Sequence, residues 1–216
     1  MIRLHAIDHS NRERYADVLR QHDRLRRRLA AAGRCWSLAA ASDDSGAVAG
    51  QGVDLVALAP CGQVAGGTRL MPTEGPTLLG DVFPHLADMR DAARGPGVWE
   101  WTHFVVAPRF RGDGRRCHVS GVLAVGLVEH CLARGITRMN VVTETFWVPT
   151  ASELGWQPRP LGLPVERDGV SICAFTVAMT PMALRTTRAL YGVADPCLWA
   201  PAHSAGRLAP RQTLHA

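Results

Sequence analysis

The run from Val98 to Gly135, VWEWTHFVVAPRFRGDGRRCHVSGVLAVGLVEHCLARG, constrains the fold more than any other stretch of the chain. It opens on a β-branched and aromatic segment that reads as a buried strand, passes through a glycine-arginine loop, and closes on a strong helix with a glycine stop. In that helix Val119, Val122, Leu123, Leu127 and Leu132 recur at helical spacing. A strand delivered through a tight loop into an apolar helix is an α/β unit, and its helix must cover a sheet. The strand carries Glu100 and His103 within four residues. Burying even a neutral polar group unpaired costs on the order of 2–7 kcal/mol, so both residues need a reason to be there.

The remaining elements fit around this unit. Residues 11–32 have the period of an amphipathic helix, with Tyr15, Val18, Leu19, Leu25 and Leu29 on one side. AAASDDSGAVAGQG reads as a loop; VDLVAL, the turn APCG and QVAGGTRLM form a hairpin. LLGDVFPHLADMRDAA is expected to be helical around a proline break. ITRMNVVT is a strand, TASELGW carries a short helix, VSICAFTVAM is another strand, and PMALRTTRALYG is a last helix. Helices fall between strands without strict alternation, which predicts an α/β chain of the α+β kind, a central mixed sheet covered by helices. Residues 1–199 form one expected domain, and 200–216 have the composition of a disordered tail.

Composition excludes several classes. The net charge of +5 comes from arginine alone, since the chain has no lysine. Arginine suits carboxylate and phosphate, but most of the cluster at Arg24, Arg26, Arg27 and Arg28 is expected on a helix as a solvated face, and no nucleic-acid recognition motif accompanies it. No run approaches the roughly 18 apolar residues of a membrane span, and the polar N-terminus lacks a signal-peptide core, so a cytoplasmic protein is expected. The six cysteines have no C-x-x-C spacing, which points to free thiols rather than zinc or disulfides.

The loop Arg109-x-x-Gly112-x-Gly114 follows a strand and precedes a helix. Glycines there let several backbone N–H groups converge at a helix N-terminus, an anion nest to which Arg109, Arg111, Arg115 and Arg116 add charge. The segment resembles the pyrophosphate loop of the GNAT acyltransferase superfamily, which implies that Arg109, Arg111, Gly112 and Gly114 hold the phosphates of acyl-CoA.

A longer resemblance covers nearly everything up to residue 199. GGTRLMPTEGPTLLGDVFPHL, WEWTHFVV, RGITRMNVVT, ELGWQPRPLGLP and the terminal Gly192-to-Trp199 pattern are similar, in order, to the acyl-homoserine lactone synthase (autoinducer synthase) family. The resemblance implies a single three-layer GNAT-like domain with a mixed, mostly antiparallel sheet. It also implies acyl transfer from acyl-CoA or acyl-carrier protein to the amine of S-adenosylmethionine, then lactone closure with loss of methylthioadenosine. It implies no permanently bound cofactor, and it leaves the oligomeric state open.

Carried over position by position, Arg26, Trp36, Arg69 and Glu100 match family residues, whereas Ala30 replaces an aromatic and His103 an arginine. The acidic segment is replaced by DDSGAV, in which Asp43 fills the first acidic slot and Ser45 and Val48 fill the other two; Asp43 and Asp44 are the carboxylates left for the sulfonium and ammonium. On a regular strand Glu100, Thr102 and Phe104 share one face and Trp99, Trp101 and His103 the other. GNAT-like folds carry a β-bulge here that redirects side chains and frees an N–H for the acyl carbonyl. Glu100 is then a general base or amine-orienting group, or else the partner of a structural ion pair with Arg69 or Arg26. His103 is an acid or base, or a hydrogen-bonded half-buried histidine; Thr102 lies beside both. Phe104, Val142, Thr143 and Phe146 are expected around the acyl chain. Two rival readings remain: another amine acceptor, and a homologue that binds an acyl thioester without turnover.

Overall fold

A computed structural model describes residues 1–32, 52–112 and 116–199. Trp36, Asp43, Asp44, Gly114, most of the expected small-residue loop and the expected tail lie outside the described residues.

Among the described residues eight strands build one sheet: β1 (Arg3–Ile7), β2 (Val53–Leu58), β3 (Val64–Pro72), β4 (Val98–Val106), β5 (Arg138–Glu144), β6 (Arg159–Pro160), β7 (Val165–Arg167) and β8 (Val170–Ala178). Their order is β1-β2-β3-β4-β5-β8-β6, with β7 on β8. Every pairing is antiparallel except β4 with β5. The helices are α1 (Ala16–Ala31), α2 (His118–Ala133), α3 (Trp147–Glu153) and α4 (Pro181–Tyr191). This is the mixed, mostly antiparallel sheet expected from the sequence.

Helix α2 is buried on nearly every side, from Val119 through Cys131, because its apolar residues leave no polar stripe. It packs on one face of the sheet with Leu55, Leu70, Trp101, Met139, Val141, Phe175 and Val177. Each such side chain contributes about 1.5–3 kcal/mol on burial, so this layer dominates the core. On the opposite face, Val18, Leu19 and Leu25 of α1 cover Ile7, Val56 and Val64, and residues 78–86 cover Val142, Ile172 and Ala174.

Three expectations change. Strand β1 was not legible in the polar N-terminus; it pairs with β2, and Leu4 also meets the segment Cys197–Trp199, with Leu4 N donating to Cys197 O and Trp199 N to Leu4 O. The expected helix over LLGDVFPHLADMRDAA reduces to a π turn at Leu78–Val82 and a 3-10 turn at Pro84–Ala87. Pro84 falls in the interior of that stretch, where it has no N–H for the carbonyl of Gly80 and its ring crowds the preceding turn. The helix expected over 11–32 opens as a 3-10 turn at Arg12–Tyr15.

Candidate active site

Two irregularities in β4 create the site. The first is a bulge: Arg69 pairs with Thr102 and Gly67 with Val105, so His103 and Phe104 together face Thr68. His103 has φ of 59°, a region uncommon for non-glycine residues, and this turns the strand over. The second is a splay. The parallel pairing of β4 with β5 ends at Trp101 and Val141, although β4 continues to Val106 and β5 to Glu144. A wedge opens between two adjacent strands in mid-sheet.

The bulge exchanges two side chains between faces relative to a regular strand. His103 joins Glu100 and Thr102 on the face beneath α1, where its Nδ1 lies 2.7 Å from Nη1 of Arg26 and 3.4 Å from Thr102 Oγ1. Phe104 joins Trp101 on the other face. There Trp101, Phe104 and Trp147 meet edge to face, with ring centroids 5.3 to 5.7 Å apart, and Trp156 stands 5.4 Å from Trp101. Trp101 is fixed by its own Nε1, which donates to Thr68 Oγ1 at 2.6 Å. Phe146 is largely exposed, and Trp147 takes the inward place expected of it.

Glu100 is 1% exposed. Its two carboxylate oxygens accept from the N–H groups of Leu78 at 2.7 Å and Leu79 at 2.8 Å. The ion pair with Arg69 or Arg26 is therefore replaced by two backbone donors. Burial raises the carboxyl to about 7, against the pull of those two N–H groups. A carboxyl that titrates at neutrality inside a protein is matched to proton transfer.

Arg69 lies opposite Asp54 on one side and Thr102 on the other, and its Nη1 is 3.7 Å from Asp54 Oδ1. Asp54, buried at 4% exposure, also accepts from Arg12 at 3.4 Å. Arg26 donates from Nη2 to Asp23 at 3.0 Å. His22 of α1 lies over Gly67, the one residue type that leaves room for its ring: a Cβ at 67 would stand 2.6 Å from Nε2. Burial lowers His22 to about 4, and burial with Arg26 and Arg69 lowers His103 well below the ordinary value. Both imidazoles are neutral at pH 7. Asp54 and His22 were missed by sequence reading; Asp54 sits inside VDLVAL, and the argument applied to Glu100 would have found it.

Val142 is buried under residues 78–86, and Thr143 follows it on the end of β5 that has parted from β4 while still paired with β8. At the far end of β4, Gly112 has φ of 61°. The Arg109 guanidinium lies 4.9 Å over the Phe110 ring, and Arg111 Nε donates to Val106 O at 3.2 Å, folding back on the strand. Arg116 bonds Glu153 of α3 at 2.5 Å. Cys117 caps α2, its Sγ accepting from Ser120 N. No cluster of three or more His, Cys, Asp or Glu that could hold a metal occurs among the described residues, and none of their helices is long and apolar enough to cross a membrane.

A bulged central strand, a splayed parallel pair and a glycine turn leading into the next helix define a GNAT-like acyltransferase. The chain belongs to the autoinducer synthase family, whose sequence pattern matches residues 50–181. It is 36% identical over 176 residues to the isovaleryl-homoserine lactone synthase of Bradyrhizobium diazoefficiens, covering 81% of this chain and 78% of that one. The structure of BjaI, a CoA-dependent acyl-homoserine lactone synthase solved with MTA, superposes with a TM-score of 0.81 at 33% identity over 92% of this chain and 93% of that one. BjaI has also been solved with SAM and isopentyl-CoA (TM-score 0.76, 30% identity, 92% and 93% covered).

Proposed function

We infer that this chain is an acyl-homoserine lactone synthase. It transfers an acyl group from a CoA thioester to the amine of S-adenosylmethionine, and the methionyl carboxylate then displaces methylthioadenosine to form the lactone. The observation that carries this reading is the bulge and wedge of β4 in a chain that matches, almost end to end, a CoA-dependent lactone synthase solved with SAM and isopentyl-CoA.

In this reading the acyl thioester enters the wedge. Its carbonyl meets a backbone N–H left by the bulge at His103 and Phe104, and its phosphates meet the turn at Arg109, Arg111, Gly112 and Gly114. Its acyl group lies against Trp101, Phe104 and Trp147 and the end of β5 that has parted from β4, at Val142 and Thr143. A box closed by three rings suits a short or branched chain. Glu100 takes the proton from the acceptor nitrogen, with Thr102 and the neutral His103 beside it. Arg26 and Arg69, with Trp36, Asp43 and Asp44, bind the methionyl portion. Residues 1–199 form the catalytic domain, and the enzyme works in the cytoplasm, where both co-substrates are made.

The test is to incubate purified protein with a panel of acyl-CoAs and S-adenosylmethionine and follow products by mass spectrometry. Thioester-dependent release of methylthioadenosine is expected. Turnover with acyl-carrier protein alone would change the donor. N-acylation of another amine without that release would overturn lactone synthesis, as would thioester binding without turnover.

A further inference from the structure

A row of polar side chains crosses the sheet from Glu100. In register, Glu100 of β4 stands beside Asn140 of β5, Asn140 beside Thr176 of β8, and Thr176 beside the exposed Arg159 of β6. Residues aligned across neighbouring strands project to the same face. That face is the one covered by residues 78–94: Glu100 is bonded to Leu78 and Leu79, and Asn140 Nδ2 donates to Ala93 O at 2.8 Å.

The Ala93 bond sets the orientation of the amide, so Asn140 Oδ1 points away from it. That oxygen is buried without a hydrogen-bond partner, and so is Thr176 Oγ1. Leaving two adjacent acceptors dry is unfavourable, whereas a water that bonds both removes the penalty. The fold does not require polarity here. Two residues along the same face, Val142 and Ala174 pair across the same strands and are apolar.

We propose that Asn140 and Thr176 form a water-lined exit through which the proton taken up by Glu100 reaches the surface beside Arg159. The proposal rests on Glu100 acting as the base. An acceptor ammonium must lose one proton to solvent before its nitrogen can attack. When the C–N bond forms and the C–S bond breaks, a second N–H proton ends on the departing thiolate. The first proton passes from nitrogen to the carboxylate and then, by exchange with the bound water, to bulk, leaving Glu100 unchanged. Substrates fill the cleft on the reacting side, so a route behind the carboxyl keeps working during turnover. Asn140 orients the water and does not itself change protonation; Thr176 both accepts and donates. Asp81 and Arg94 are the charged groups that face Glu100, and Arg159 is the one at the exit.

Thr176→Val keeps the shape and removes the hydroxyl. We expect kcat to fall roughly five- to tenfold with both KM values within about twofold, because a proton-transfer step is slowed while binding is untouched. We also expect a larger solvent deuterium isotope effect on kcat, an unchanged Tm, and recovery in Thr176→Ser. Wild-type kcat and isotope effect in Thr176→Val would overturn the exit. So would a lower kcat with an unaltered isotope effect and a lower Tm, which would mark a structural water only. Glu100→Gln separates the two levels. If it keeps full activity, the base and the exit fail together; if it is inactive while Thr176→Val is normal, only the exit fails.

Discussion

Nη1 of Arg26 approaches Nδ1 of His103 to 2.7 Å, across the interface between α1 and the bulge of β4. A guanidinium only donates, so Nδ1 is the acceptor and the ring carries its proton on Nε2. Buried and facing Arg26 and Arg69, the imidazole stays neutral. His103 thus adds no charge at the bulge, and it anchors the strand's irregularity to the helix.

This separates His103 from Glu100 in a pH experiment. Asparagine retains an acceptor and tolerates a positive φ, so His103→Asn should keep the bulge and lower kcat/KM by less than about tenfold. The pH dependence near neutrality should persist in the variant. Its disappearance would assign the titration to His103.

Glu100 should place a limb near pH 7 in kcat/KM, activity rising as the carboxyl ionises. It also affects stability. Its folded value lies above its unfolded one, so as pH rises from about 4.5 to about 7 the unfolded chain ionises first and the native state loses about 3 kcal/mol relative to it. His22 and His130, both lowered to about 4 by burial, act oppositely below pH 6.5, so the comparison must be with Glu100→Gln. Glutamine turns an NH2 toward one of the two backbone donors and forfeits a bond worth about 1–3 kcal/mol. The variant should be less stable than wild type at pH 4.5, with the gap closing or reversing by pH 8. Urea midpoints at the two pH values measure this; a gap independent of pH would refute the raised carboxyl.

Gly112→Val tests the phosphate turn. A Cβ at Gly112 meets nothing within 4 Å, so only its φ of 61° resists substitution. A left-handed β-branched residue costs roughly 1–2 kcal/mol and distorts the turn. CoA affinity measured by calorimetry should fall about tenfold while the fold survives. Unchanged affinity would remove the turn from the binding site.

Gly67→Ala drives a methyl into the His22 ring. Overpacking of this kind costs about 1–3 kcal/mol, and in a His22→Ala background the same substitution should cost far less. Additive effects in the double-mutant cycle would show that the close approach is not what requires glycine there.

Much of this was legible in sequence. The amphipathic period marked α1, the apolar run marked α2, and the APCG turn marked the β2–β3 hairpin, because these depend on local periodicity and turn chemistry. Glu100 stood out because an acid in an apolar strand is costly. Strand β1 did not, because its polar side chains become tolerable only once β2 and the segment Cys197–Trp199 flank it. The helix expected at 78–93 breaks at Pro84 into two short turns, and the first of them opens on N–H groups that Glu100, distant in sequence, satisfies.

The sequence by itself determined the family pattern, the order of most elements and the anomaly of an acid at Glu100 in an apolar strand, all properties of neighbours along the chain. Tertiary structure alone decided which face each of those residues occupies. A strand's alternation is a local rule, but the bulge that moves His103 toward Arg26 and Phe104 toward Trp147 arises from pairing two residues of β4 against one of β3. Nothing local to VWEWTHFVV specifies that mismatch in register, because it is a property of two strands together.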